Sequence, residues 1–248
     1  MFDERLVVLG TGIRVVGQLT VEAMAWVRRA EKILHLVEDG IAVSTLQHLN
    51  PTAAQNTLAG FYQNDKPRAE TYEEMVQAIL ASVRSHRLTV CAFYGHPGVM
   101  AFPSHESIRR ARAEGFKARM LPGISAEDCL FADLGIDPAT HGCQTYEATD
   151  VLWNNRQIVP TTHLVLWQVG AVGDMSFQRD RYDLRALPQL VERLLQWYPP
   201  THEVTIYEAA LMLGCEPLIH NVPLAALNAE VVTARSTLSV PPIAHEHP

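Results

Sequence analysis

Three tyrosines, one arginine and one histidine stand where side chains can do chemistry. The run Phe93-Tyr94-Gly95-His96-Pro97-Gly98-Val99 ends an apolar stretch, 88–93, of the kind that forms a buried strand. A phenol, an imidazole and close-approach backbone therefore sit where a strand runs out into a loop, the end of an open α/β sheet that receives ligands. Upstream, Phe61-Tyr62-Gln63-Asn64-Asp65-Lys66-Pro67-Arg68-Ala69-Glu70-Thr71-Tyr72 adds two phenols and a guanidinium on a loop that enters a helix. No obvious nucleophile or metal-ligand set accompanies them. Such a group suits proton handling and the stabilisation of an oxyanion rather than a covalent intermediate. A neutral phenol donates to developing negative charge. An ionised phenol acts as a base, for which its reference pKa of ~10 must fall, and an adjacent guanidinium favours the phenolate. Each residue has a plain alternative: Tyr72 as packing at a helix start, Arg68 as a solvated loop charge, Tyr62 as a strand or loop aromatic.

Composition narrows the classes. At 248 residues the chain has room for one large α/β domain or two small ones. A formal charge of −7 leaves no cationic footprint for nucleic acid. Arg109, Arg110 and Arg112, beside Glu114, read as a solvated helix face. No apolar run approaches the ~18 residues of a membrane span, and the charged opening Met1-Phe2-Asp3-Glu4-Arg5 is unlike a signal peptide. Cys91, Cys129, Cys143 and Cys215 are scattered without a Cys-x-x-Cys, as expected of reduced, buried thiols in a cytoplasmic protein.

The elements that must position the tyrosines follow from the apolar pattern. Strands are predicted over 6–10, 32–37, 88–93 and 116–120, with helices over 20–30, 72–86 and 104–114 between them. Thr20 caps the first helix and Ser104 the third, which Gly115 stops. This alternation predicts a mostly parallel sheet. Past Leu121-Pro122-Gly123-Ile124-Ser125, Ser125 reads as the N-cap of a helix to 134. Strands at 144–146, 163–169, 203–207, 216–220 and 236–240, with one helix over 187–197, predict a second α/β domain with a mixed sheet. The expected domains are residues 1–122 and 123–248. Residues 47–68, containing Leu49, Leu58, Phe61 and Tyr62, read as a long loop that either closes over a site or reaches a neighbouring subunit.

The turn Gly10-Thr11-Gly12-Ile13-Arg14-Val15-Val16-Gly17 invites a dinucleotide reading, with Val37-Glu38-Asp39 supplying an acid after the second strand. Its third glycine comes two residues late for Gly-x-Gly-x-x-Gly, so a plain tight turn is the expectation.

Taken together, Leu9-Gly10-Thr11-Gly12, Tyr94-Gly95-His96-Pro97-Gly98, Leu121-Pro122-Gly123-Ile124-Ser125-Ala126 and Leu166-Trp167-Gln168-Val169-Gly170 resemble the tetrapyrrole methylase superfamily. The resemblance implies a two-domain α/β (class III methyltransferase) fold with S-adenosylmethionine in the cleft between the domains and S-adenosylhomocysteine as product. More narrowly, the chain resembles the borosin peptide backbone α-N-methyltransferases. The residues that carry this are the run from Tyr94 to Val99, Pro103-Ser104-His105, Glu114-Gly115-Phe116, Met120 through Asp128, Phe131-Ala132-Asp133-Leu134 and Tyr146-Glu147-Ala148-Thr149-Asp150. Ile13-Arg14 stand where many porphyrin-modifying members carry Pro-Gly, which also matches this branch.

From the resemblance, Tyr62, Arg68, Tyr72 and Tyr94 are the catalytic residues, with base and oxyanion roles left undivided between Tyr62 and Tyr72. Cofactor contacts are implied at Gly10, Tyr94, Gly95, His96, Pro97, Val99, Phe102, Ser125, Ala126, Gln168, Val169 and Ala171. His96 either turns its loop or touches cofactor, and Ser125 either caps its helix or presents that helix to the cofactor carboxylate. Gly95 and Gly123 are expected to let backbone approach the cofactor closely. No metal is implied, and His245 and His247 read as tail residues. Because the chain ends soon after Pro241-Pro242, the expectation is a split system: a precursor peptide on a separate chain, a homodimer, and a heterotetramer with two precursor chains. The competing readings are a related methylase acting on a tetrapyrrole or other small molecule, and a catalytically silent scaffold that only binds a precursor.

Overall fold

Five short apolar or edge segments of the first half pair into one parallel sheet. A computed structural model describes residues 3–14, 16–37, 39–179 and 181–243. The strands are β1 (Leu6–Gly10), β2 (Lys32–Leu36), β3 (Ala54–Thr57), β4 (Thr89–Phe93) and β5 (Ala118–Met120), in the order β3-β2-β4-β1-β5. Every residue of β1 and β4 is buried, and the two pair in register from Leu6–Thr89 to Gly10–Phe93. Successive side chains of a strand point to opposite faces. Leu6 and Val8 of β1, with Cys91 and Phe93 of β4, accordingly join one apolar cluster, whereas Val7, Leu9, Val90 and Ala92 join another. Helices α1 (Val21–Val27) and α2 (Gly40–Leu49) cover the second cluster. Helices α3 (Arg68–Ser85) and α4 (Phe102–Ala113) cover the first, and α3 contributes Met75, Val76, Ile79, Leu80 and Val83 at helical spacing.

The remaining elements are α5 (Ala126–Leu134), α6 (Pro138–His141), β6 (Cys143–Glu147), α7 (Ala148–Trp153), β7 (His163–Trp167), α8 (Leu187–Leu194), β8 (Glu203–Glu208), β9 (Leu218–Pro223) and β10 (Thr237–Val240). Their sheet has the order β6-β7-β10-β8-β9. Only β6 and β7 are parallel there; the other pairings are antiparallel, so the sheet is mixed. One core holds it, with Leu164, Leu166, Ile206 and Leu238 from strands and Leu187, Leu190, Val191 and Leu194 from α8. Contacts divide the chain into Met1–Cys129 with Ala210–Cys215, and Leu130–Ala209 with Glu216–Pro248. No helix among the described residues is long and apolar enough to cross a membrane.

Several expectations need correction. The stretch 47–68 is not one long loop: it holds the end of α2, β3 and a 3-10 turn, Ala59–Phe61. The helix expected from Tyr72 begins at Arg68. Ser104 is not the cap of α4, which starts after Ala101; it lies in the first turn, and its hydroxyl donates back to the carbonyls of Pro97 and Ala101. The arginine-rich face of α4 is solvent-facing as expected, with Arg109, Arg112 and Glu114 exposed, and it is paired as well. Arg110 and Arg109 bind Glu106, and Arg112 donates to the Ala118 carbonyl of β5, while Glu114 pairs with Arg84. None of the four thiols is in a disulfide, and of them Cys91 is buried, Cys129 and Cys143 are partly exposed and Cys215 is exposed. Val15, Glu38, His245 and His247 lie outside the described residues.

Two buried imidazoles tie stability to pH. Burial pulls His35 of β2 below the ordinary histidine value, against a weak contact of Nδ1 with the Val37 carbonyl. Burial also lowers His163 of β7, helped by the neighbouring His141, while Nε2 of His163 faces the Ser239 hydroxyl at 2.7 Å. With folded values below the unfolded ~6.5, the unfolded chain takes up these protons first. Stability is then full above about pH 6.5 and falls as pH drops through and below it. Urea midpoints measured from pH 8 to pH 5 should show that decline, and the double variant His35→Leu, His163→Gln should flatten it. A wild-type midpoint independent of pH over this range removes the linkage.

Candidate active site

At the carboxyl edge of the parallel sheet three peptide backbones touch. Gly10 ends β1, Gly95 follows β4 and Gly123 follows β5. A Cβ on Gly10 would lie 2.1 Å from the Gly95 carbonyl oxygen and 3.1 Å from Gly123 Cα. One on Gly123 would lie 2.7 Å from that oxygen and 2.9 Å from Gly10 Cα. Gly12 and Gly95 exchange backbone hydrogen bonds at 3.3 and 2.9 Å. The chain itself is thus a close neighbour of Gly123. Gly95 differs: its φ is +70° and its Cβ would meet only Ile13 closely, at 3.3 Å, so conformation is what demands glycine there.

The first glycine turn is closed from within. Gln18 Oε1 accepts the amide N–H groups of Ile13 at 2.7 Å and Arg14 at 2.9 Å. Those are donors a phosphate would need, so this turn is no phosphate cradle. Asp39 spends its carboxylate on capping α2, accepting from Ile41 and Ala42. This donor set fits a cofactor without phosphates, as S-adenosylmethionine is, better than a dinucleotide.

The 94–101 loop is stitched internally and shows apolar groups outward. His96 Nδ1 accepts the Gly98 N–H at 2.8 Å, which leaves the ring proton of the neutral imidazole on Nε2. That bond gives His96 a turning role. His105 Nε2 donates to the Gly98 carbonyl at 2.9 Å, and Val99 N–H reaches the His96 carbonyl. Ser104 holds the carbonyl of buried Pro97. Met100 takes a left-handed φ of +53°. Tyr94 (51%) and Phe102 (53%) are half in solvent, with Val99 and Met100 exposed beside them.

Helix α3 brings the other candidates to this loop. Arg68 opens the helix and Tyr72 stands one turn later, on the same face. The Tyr72 ring stacks on Phe102 with centroids 6.2 Å apart and planes at 24°. Tyr62 follows the 3-10 turn, and its half-buried ring packs against the same core as Tyr72. Sequence reasoning missed what holds the 62–67 segment. Lys66 donates to the Phe61 carbonyl at 3.2 Å and forms an ion pair with Glu74 of α3. It also missed Glu73, which takes a two-pronged grip from Arg110 at 2.7 and 2.8 Å and so fastens α3 to α4. Hydrogen bonds from Arg109 and Arg110 hold the Glu106 carboxyl down to about 2. A lone lysine between two aromatics and a helix was the available signal for Lys66; nothing local marked Glu73.

The other implied cofactor residues stand apart in sequence. Ser125 caps α5: its hydroxyl and N–H donate to Asp128 at 2.6 and 2.7 Å, and its oxygen accepts the Asp128 N–H at 3.1 Å. Its donors are therefore spent on that carboxylate, and the half-buried Ala126 begins the helix. Gln168 follows β7 with a left-handed φ of +56°, an uncommon state for a side chain of this kind. Val169 and Ala171 are buried. Gly170 between them has no room for a side chain.

Residues 5–221 match the model of the tetrapyrrole (corrin/porphyrin) methylases. The chain is 41% identical over 245 residues to the methyltransferase/ribosomally synthesized cyclic peptide dendrothelin A precursor of Dendrothele bispora, and 40% identical over 245 residues to the corresponding omphalotin A precursor of Omphalotus olearius. Each match covers 97% of this chain and 58% of the relative, so the chain spans under two thirds of their length. In structure it is similar to the uroporphyrin-III C-methyltransferase of Thermus thermophilus, with a TM-score of 0.66 at 18% identity, over 97% of this chain and 93% of that one. The methyltransferase CobJ gives 0.59 at 15%, over 96% and 94%. At such identities the structural likeness speaks for the fold.

The glycine contact is testable apart from any activity. Gly123→Ala should lower unfolding free energy by about 1–3 kcal/mol, the usual cost of forcing atoms into packed space. Gly60→Ala, at a site with nothing within 4 Å, is the control and should be near neutral. Equal urea midpoints for the two variants count against the contact.

Proposed function

The chain belongs to the tetrapyrrole (corrin/porphyrin) methylase family, and we propose that it is an S-adenosylmethionine-dependent methyltransferase acting on backbone amide nitrogens of a ribosomally made peptide. The observation that carries this is the identity of about 40% along nearly the whole chain to methyltransferases fused with cyclic-peptide precursors. The site adds support: Arg68 and Tyr72 share one face of α3, and Tyr72 stacks on Phe102 beside the Tyr94 loop.

An amide nitrogen is a poor nucleophile because its lone pair is delocalised into the carbonyl. Methylation needs its proton loosened while charge moves to oxygen. The bound cofactor supplies an electrophilic methyl group on a sulfonium. In this reading a neutral phenol, Tyr62 or Tyr72, donates to the imidate-like oxygen, and the other takes the amide proton as phenolate. Arg68 favours the phenolate and steadies the oxyanion. Tyr94, on the internally bonded 94–101 loop, would lie near the methyl group to be transferred. The nitrogen must approach to about 3–3.5 Å, in line with the departing sulfur. Gly10, Gly95, His96, Pro97, Val99 and Phe102 are proposed cofactor contacts, and so are Gln168, Val169 and Ala171. Ala126 belongs to that set, and Ser125 is a weaker member of it, because Asp128 already takes the Ser125 donors.

Co-expression with a candidate precursor, followed by mass spectrometry, tests the reading. Added methyl groups localised to backbone nitrogens support it, and methylation of a tetrapyrrole alone overturns it. The resemblance to borosin enzymes also supports a homodimer that takes up precursor chains; a monomer by light scattering at micromolar concentration removes that assembly.

Tyr62→Phe and Tyr72→Phe should each slow methylation by about 10²–10³, the range for losing one oxyanion donor. S-adenosylmethionine affinity should change little. Arg68→Lys should also be slow, since an ammonium cannot reproduce a planar fork. Near wild-type rates in all three variants show that these residues do not carry the chemistry.

A further inference from the structure

The turn after β7 is braced from behind by a buried carboxylate. Glu208 closes β8, and β10 runs antiparallel between β8 and β7, so the ends of β7 and β8 lie beside the start of β10. Glu208 is 9% exposed. Its Oε1 accepts from the hydroxyls of Thr233 and Ser236, the second at 3.0 Å, and its Oε2 pairs with Arg235 at 3.2 Å. The 233–236 turn closes on itself as well. Thr233 N–H donates to Ser236 Oγ at 2.9 Å, and Ser236 N–H to the Thr233 carbonyl at 3.1 Å. That carbonyl oxygen lies 1.7 Å from where a Cβ on Gly170 would be, with Ala234 Cα at 2.9 Å. Gly170 is the middle residue of the 3-10 turn Val169–Ala171, which follows the left-handed Gln168 and is closed by Ala171 N–H on the Gln168 carbonyl at 2.9 Å. A buried carboxylate is costly unless its lone pairs are filled. Here the donors that fill it come from one turn, so carboxylate and turn fix each other.

We propose that Glu208 is a positioning residue for cofactor binding. It acts through the 233–236 turn and Gly170 to hold the Gln168–Ala171 backbone in its receptive shape. The inference rests on the reading of Gln168, Val169 and Ala171 as cofactor contacts. A carboxylate that served only to complete the core would contribute to stability alone. One that shapes this turn contributes to cofactor affinity beyond any change in stability.

Calorimetric titration with S-adenosylhomocysteine, alongside melting temperatures, separates the two. Glu208→Ala and Thr233→Val should each weaken binding about tenfold, the scale of losing one hydrogen bond to a charged group. In turnover, KM for S-adenosylmethionine should rise by a like factor while kcat at saturating cofactor stays within about twofold. Thr233→Ser keeps the hydroxyl and should restore wild-type affinity. If Glu208→Ala does not fold, the Thr233→Val and Thr233→Ser pair decides. Folded variants with wild-type affinity overturn the proposal, as does a fall in kcat with unchanged affinity. A wild-type chain that binds no S-adenosylhomocysteine overturns the methyltransferase reading itself, and this inference with it.

Discussion

Contact between peptide backbones at the end of the parallel sheet is the constraint on which the rest of the site depends. Side chains normally keep neighbouring loops several ångströms apart. At Gly10, Gly95 and Gly123 they are missing, and the turns after β1, β4 and β5 close to van der Waals distance. The direction in which Tyr94 and its loop leave β4 follows from that closure, because Gly95 is bonded to Gly12 on one side and packed against Gly10 and Gly123 on the other. Glycine carries an entropic cost in the unfolded chain. The fold offsets it with the fully buried pairing of β1 and β4 immediately behind the contact.

Charge does the corresponding work between helices. Single exposed ion pairs contribute little. Arg110, however, grips Glu73 with both terminal nitrogens and Glu106 with its Nε, so three side chains join α3 and α4 into one network with defined geometry. Lys66 ties the segment carrying Tyr62 to the same helix. A site that works by aiming donors at developing charge depends on such fixity, since its donors must already be in place when the charge appears.

What was legible in the sequence was local. The strands β1, β2 and β4 announced themselves as apolar runs, and α3 by the spacing of Met75, Val76, Ile79, Leu80 and Val83. The Ser125 cap was readable because its partner, Asp128, lies three residues on. By contrast β3 is Ala-Gln-Asn-Thr, a polar edge strand without alternation, and α7 is too short to display a period. The candidate tyrosines were visible by type and through family resemblance. Glu73 across from Arg110 and Thr233 against Gly170 were not, because each joins segments whose proximity exists only after folding, and Gln18 closing the first turn, though only four and five residues from its partners, carries no residue pattern that marks it.

Arg68 and Tyr72 ride a single helix of 18 residues whose inner face is locked in the core. A helix of this kind moves as a body, so thermal displacement carries guanidinium and phenol together. The spacing of the backbone positions from which they project is insulated from fluctuation. What fluctuates is their joint distance from whatever lies opposite. Spacing and reach are thereby decoupled: the first belongs to one helix, the second to how that helix is set. The ties at Lys66 and Glu73 fix that setting, so a change at either would shift both residues at once and leave their spacing alone.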